Sequence, residues 1–429
     1  MTSNESGAPA PSGTSSTTRT TVSRRRFLGG AGLAGAGVVV GGAAGFGIAE
    51  ATRGGGSGDG QVPFHGARQA GITTPAQQRL VFGSFDVKTT DVEKLKVTLA
   101  LWSAAASLMT QGKPVGPTET APANPPVDTG EAVGLGPQDL TITVGFGPSL
   151  FDDRFGLAGK RPAALAPLPA LPGDTLLDPS ISGGDLCVQA CSQDPQVAFH
   201  VVRNFARIGR GAVALRWMQE GFGRASSTSS DQQTPRNLFG FKDGTNNIKA
   251  DADAERWVWV DDEADQPWMR GGSYLVSRKI RMTIETWDSD NLGDQERVFG
   301  RMKESGAPIG AQGEFDALDF GAKGDDGKPL IDLNAHVRLA HPDNNGGVQI
   351  LRRSYNYTNG IDPRTGQLDA GLFFIAFQRD PHAQFVRLQT QLGHRDNLNE
   401  YIKHESSALF ACPPGVQKVG DYWGKALFA

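Results

Sequence analysis

Three segments of this chain carry residue types that could do chemistry together. Gly240-Phe241-Lys242-Asp243-Gly244-Thr245-Asn246 offers a carboxylate on a glycine-flanked turn. Asn334-Ala335-His336-Val337-Arg338, with His341-Pro342 close behind, offers imidazoles, and Ile350-Leu351-Arg352-Arg353-Ser354-Tyr355 sets two guanidiniums on an apolar run. A carboxylate can take a proton from a substrate and return it. A guanidinium stabilises charge that develops on a reacting oxygen and does not lose its own proton. A neutral imidazole can ligate a metal. Taken singly, each segment also has an ordinary structural reading. Lys-Asp-Gly is a common turn, a lone histidine usually packs or bonds within the fold, and arginines on a strand usually meet water or a carboxylate.

The rest of the chain narrows the chemistry. It holds no phosphate loop, no dinucleotide fingerprint and no zinc-ligand cluster, and none of its seven histidines forms a His-x-x-x-His or His-Glu-x-x-His pair. The net charge is −4, and no basic run occurs beyond Arg24-Arg25-Arg26, so nothing points to a nucleic-acid partner. Three cysteines are too few for a disulfide framework. Cys187 and Cys191 have same-face spacing and, with Cys412, are expected to be small buried thiols.

Elements able to position the three segments follow from periodicity. Arg79 to Val87 reads as a strand, and 91–110 as a helix with Val92, Leu95, Leu99 and Trp102 on one face. After a Pro/Gly-rich loop over 112–138, strands are expected over 140–147, 185–191 and 212–217, with a helix over 195–210. The order β-α-β-β-α-β is the split βαβ, or ferredoxin-like, unit. The second half repeats it: strands over 273–287, 348–357, 372–378 and 408–412, helices over 292–303 and 384–392. The expected fold is α+β, two tandem ferredoxin-like units with antiparallel sheets, spanning 63–225 and 226–429.

Set side by side, the three segments form one constellation. Gly-Phe-x-Asp-Gly-Thr-x-Asn resembles the Gly-x-x-Asp-Gly motif of the dye-decolorizing peroxidases. His65-Gly-x-x-Gln-Ala-Gly-Ile-Thr-Thr-Pro75, Glu285-Thr-Trp287, Gln295-Glu296, Phe299-Gly-Arg301, Ser305-Gly-Ala-Pro308, Ala376-Phe-Gln-Arg-Asp-Pro381 and Leu409-Phe-Ala-Cys-Pro-Pro414 are similar to further segments of that family. The likeness covers roughly 60 to 429, and it is greatest to the exported type, whose members include peroxidases also called haem deferrochelatases. It implies a haem b cofactor. No Cys-x-x-Cys-His occurs, which argues for haem held without covalent attachment.

The resemblance implies roles residue by residue. His336 matches the proximal ligand of the haem iron. Asp243 and Arg352 match the distal pair, with Arg353 the competitor for the arginine role, since strand alternation puts only one of the two on the haem face. Gly244, Thr245 and Asn246 match the loop against the haem. His341, Pro342 and Asp343 stand where the family often has an Asn-Pro-Arg-like segment at the haem edge. A proximal imidazole donates better when its other nitrogen bonds a carboxylate, and Asp396 or Glu400 is the candidate partner. The partners implied are hydrogen peroxide and an organic electron donor such as a dye or phenol. Bulky donors would deliver electrons through surface aromatics, for which Tyr355, Tyr357, Trp217 and Trp287 are candidates. Removal of iron from haem, or haem carriage without catalysis, are the alternative functions; a carrier needs no acid–base group. The oligomeric state is left open.

The N-terminus adds an address. Residues 1–22 are rich in Ser, Thr, Gly and Pro, and disorder is expected there. Ser23-Arg24-Arg25-Arg26-Phe27-Leu28 then leads a glycine-rich, weakly apolar stretch to about Ala51, which reads as a twin-arginine export signal. Ala49-Glu50-Ala51 fits a small-x-small cleavage site, and 52–62 reads as a flexible linker. The twin-arginine machinery carries folded proteins, so the cofactor would be loaded in the cytoplasm before export to the periplasm, envelope or exterior.

Overall fold

The computed structural model describes residues 60–429; the export signal and most of the linker lie outside the described residues. Among the described residues no helix is long and apolar enough to cross a membrane.

The first half builds four strands: β1 (Arg79–Val87), β2 (Thr141–Phe146), β3 (Leu186–Ser192) and β4 (Val213–Arg224). They pair antiparallel in the order β4-β1-β3-β2, the ferredoxin-like arrangement. Two helices cover one face. Helix α1 (Val92–Met109) starts where the Asp91 carboxylate accepts the Glu93 and Lys94 amides, and α2 (Pro195–Ile208) starts where Asp194 does the same for Gln196 and Val197. Leu95, Leu99 and Trp102 are buried as the periodicity predicts. Trp102 stacks on Phe205 with ring centroids 4.6 Å apart, and its indole N–H donates to the Phe205 carbonyl.

The second half repeats the plan. In chain order it comprises α3 (Asp251–Trp257), β5 (Ser273–Met282), α4 (Ile284–Ser289), α5 (Leu292–Phe299), α6 (His336–Ala340), β6 (Leu351–Arg352), β7 (Tyr355–Ile361), β8 (Leu368–Gln378), α7 (Arg387–Arg395), β9 (Ile402–His404) and β10 (Ala408–Cys412). Its four main strands lie in the order β10-β5-β8-β7. β4 pairs with β7 and β2 with β10, so the two sheets close into one circuit of eight strands, leaving none of the eight as a free edge. The short β6 lies on β8 and the short β9 on β5. Gln69, from the segment before β1, fastens one seam: its amide donates to the carbonyls of Val144 and Pro413 and accepts from the Val144 N–H.

The expected strand over 273–287 is too long. After Met282 the chain turns into α4, whose Trp287 is buried against Phe239 and Tyr401. The expected strand over 348–357 is broken at Arg353-Ser354 into β6 and β7. All three cysteines are free and buried.

Candidate functional site

The site forms where long connections of the second unit meet the sheet. One deep cavity is lined by Asp243, Gly244, Thr245 and Asn246, by His336, His341 and Pro342, and by Arg352 and Asp396. Between these polar groups its walls are apolar, including Ile280, Met282, Phe299, Leu372, Phe374 and Leu388.

Asp243 sits on a loop shaped by its own backbone. The Asn237 N–H donates to the Phe241 carbonyl, the Gly240 N–H to Asn237, and the Asp243 N–H to Pro235. Gly244 has φ +97°, and a Cβ there would come within 3.1 Å of the Ser226 and Ser227 backbone, so only glycine lets the loop pass. One Asp243 oxygen pairs with the Arg352 guanidinium; the other accepts from the Asn237 amide at 3.2 Å. Arg352 is held in turn by Asn247, which accepts from the Arg352 N–H at 2.9 Å and donates to its carbonyl at 2.8 Å. Asn247 thus welds the loop to β6, a function that its residue type does not announce. Arg353 points the other way. It is buried among Thr74, Pro75 and Gln77, to which its guanidinium donates, so alternation leaves Arg352 as the cavity-facing arginine.

His336 opens α6. Its Nδ1 bonds Asp396 Oδ2 at 2.6 Å, while Asp396 Oδ1 accepts the Leu398 N–H at 2.9 Å. Asp396 is almost completely buried just after α7 and is locked at both oxygens. Glu400 makes no such contact with His336. Nε2 of His336 makes no hydrogen bond among the described residues, and 31% of the side chain is open. Burial pulls the imidazole pKa down, but the charge and hydrogen bond of Asp396 outweigh it and the net shift is upward. Asp243 and Arg352 also act on this ring electrostatically, and they line the same cavity as it does.

Of the edge residues, His341 and Pro342 line the cavity. Asp343 does not: its side chain is 78% exposed and its N–H donates to His341 Nδ1. A short turn over Pro342–Asn344 swings the aspartate out to water. Thr245 lines the wall, but its hydroxyl donates to Glu314 at 3.0 Å. The proposed electron-relay residues are not at the surface. Tyr355, Tyr357, Trp217 and Trp287 are all buried, because each occupies a core-facing position; Trp217, for one, stacks on Phe82.

The residues present fit a haem. One cavity with apolar walls holds both an imidazole with a free nitrogen and a carboxylate–guanidinium pair. Haem also brings carboxylates, and the cavity holds a cation suited to one. Arg278 on β5 is fully buried and donates to Asp174, yet its Nε and Nη1 lack partners. Its neighbour His404 is held neutral, with burial and the Arg278 charge pushing its pKa down to about 3. Neither residue was legible as a site residue, since an arginine in an alternating strand reads as solvated.

Comparison with known proteins agrees with this geometry. The family model described as Dyp-type peroxidase, N-terminal, matches residues 69–223, and that described as Dyp-type peroxidase, C-terminal, matches 234–417. The chain is 38% identical over 372 residues to the deferrochelatase of Escherichia coli strain K12, covering 85% of this chain and 86% of that protein. Among solved structures it resembles DtpA from Streptomyces lividans, described as an oxyferrous complex, with 39% identity, a TM-score of 0.79, and coverage of 86% of this chain and 97% of that one. A DyP-type peroxidase from Cellulomonas bogoriensis matches at 36% identity and TM-score 0.77, covering 87% and 99%. The chain therefore belongs to the DyP-type peroxidase family and is a haem b-dependent oxidoreductase with the family's two ferredoxin-like units.

Proposed function

We propose that this peroxidase uses Asp243 as its acid–base group, Arg352 as its charge stabiliser and His336 as its haem ligand, and that it oxidises dyes, phenols or similar organic donors with hydrogen peroxide. The observation that carries the reading is that the Asp243–Arg352 pair and the His336–Asp396 pair line one cavity. Haem b, when bound, supplies the redox centre between donor and peroxide. The Asp243 carboxylate takes a proton from the incoming peroxide and returns it to the departing oxygen, which leaves as water. The Arg352 guanidinium stabilises the negative charge that develops as the O–O bond opens. Asp396 holds His336 in the tautomer that presents Nε2 to the cofactor.

A second reading has support in the name deferrochelatase carried by relatives 38% identical to this chain: removal of iron from haem with the porphyrin left intact. Steady-state oxidation of an organic donor by peroxide is the expected result for the purified protein. Release of metal-free porphyrin without donor turnover would favour the second reading. An absorption spectrum unchanged by one equivalent of peroxide would leave haem carriage, a role that gives the Asp243–Arg352 pair no task.

The same reading includes export. The sequence Ser23-Arg24-Arg25-Arg26-Phe27-Leu28 supports passage through the twin-arginine machinery after folding and haem loading. Lysine keeps the charge of arginine but not its planar fork. Arg24→Lys with Arg25→Lys should therefore retain folded, haem-loaded protein in the cytoplasm, as measured by fractionation. Undiminished export of the double variant would refute the signal.

A further inference from the structure

The segment 310–333 connects the Arg301–Pro308 bridge to α6 and contains no helix or named strand. It contacts both the Asp243 loop and the helix that His336 opens. Glu314 meets the distal loop: its Oε2 accepts the Lys242 ammonium and its Oε1 accepts the Thr245 hydroxyl at 3.0 Å. Those two residues flank Asp243. The Glu314 side chain is only 9% exposed, and its own carbonyl is pinned by Arg301 Nη1 at 2.9 Å. The Lys242 stem runs over Gly306, where φ is +77° and an added Cβ would meet Lys242 Cδ at 2.6 Å. Lys242 is therefore seated toward Glu314 by shape as well as by charge. Farther along, Leu318 lines the cavity, and the Phe320 carbonyl accepts from Arg338 Nη2 at 2.9 Å in the helix that His336 opens. Burial raises the Glu314 pKa, but Lys242 and the Thr245 hydroxyl pull it down, and the net shift is downward.

We propose that Glu314 is a positioning residue for the step with hydrogen peroxide: it clamps the Asp243 loop at both flanks, on a segment that ties this loop to the His336 side of the cavity. It touches neither Asp243 nor the cofactor ligand. Its effect is to hold the Asp243 carboxylate against Arg352 and to occupy the Lys242 ammonium, which otherwise sits one residue from Asp243 as an uncompensated, largely buried cation. The inference rests on Asp243 being the acid–base group.

The test is the rate of reaction with hydrogen peroxide by stopped-flow absorption, for the haem-loaded protein and its Glu314→Gln, Asp243→Asn and doubly substituted forms. Misplacing a reacting group by about 1 Å can cost on the order of 100-fold. Glu314→Gln is expected to slow the peroxide step about 10- to 100-fold, with haem content and the donor KM unchanged. In the Asp243→Asn background the same change should have no further effect. Asp243→Asn reacting at the wild-type rate would remove the reading beneath the inference. A slow Asp243→Asn beside a wild-type Glu314→Gln would overturn the inference alone. A full additional loss in the double variant would also overturn it, since Glu314 would then not act through Asp243. If Glu314→Gln fails to load haem, Thr245→Val releases the other flank, and the same comparison with and without Asp243→Asn decides.

Discussion

His336→Ala is expected to yield a folded protein with little incorporated haem and without the absorption spectrum of the haem-loaded wild type. Three histidines line the cavity: His336, His341 and His404. His341 Nδ1 accepts the Asp343 N–H, and His404 is packed against Gln389 beside the Arg278 charge. His336 alone has one nitrogen committed to a buried carboxylate and the other free, the arrangement that fixes a ligand's orientation and raises its basicity. Asp396→Asn should therefore weaken haem binding without abolishing it, by about 10- to 100-fold. His341→Ala and His404→Ala should retain haem. The check is haem titration of each variant followed by absorption. An unchanged spectrum in His336→Ala, with loss of haem in either of the other two, would transfer the ligand role.

This contrast between ligand and partner also shows what could be read from sequence. Runs such as 79–87 and 408–412 are short and largely apolar, and they form strands at those limits. Helix α6 is five residues long, too short for any period to emerge, so His336 could be singled out by motif but not placed on an element. The choice between Asp396 and Glu400 needed the turn after α7, which aims the first inward. Arg352 over Arg353 followed from alternation only once β6 had an inward face, and that face is set by its pairing with β8. Least legible were groups whose meaning lies in a distant partner. Arg278 meets Asp174 across 104 residues of chain, and Glu314 meets Thr245 across 69. Asp343, expected at the haem edge from its place in a motif, is carried outward by a local turn. The aromatic residues proposed as surface relays are core residues, because the strands and the helix that bear them turn those positions inward.

Asp243→Asn is expected to slow the reaction with hydrogen peroxide by about 10²- to 10⁴-fold, the range for removal of a positioned acid–base group, while haem remains bound. Asparagine preserves the shape of the side chain and can still meet Asn237, so the loop is retained and only proton transfer is lost. Arg352→Leu should cost about 10²- to 10³-fold, as for loss of one donor that stabilises a developing negative charge; it also leaves the Asp243 carboxylate without its cation. The two losses should not add, because both residues act on the same opening O–O bond. Stopped-flow absorption on the wild type, both variants and the double variant measures this. Both variants reacting at the wild-type rate would refute the distal assignment and return the cavity to haem carriage.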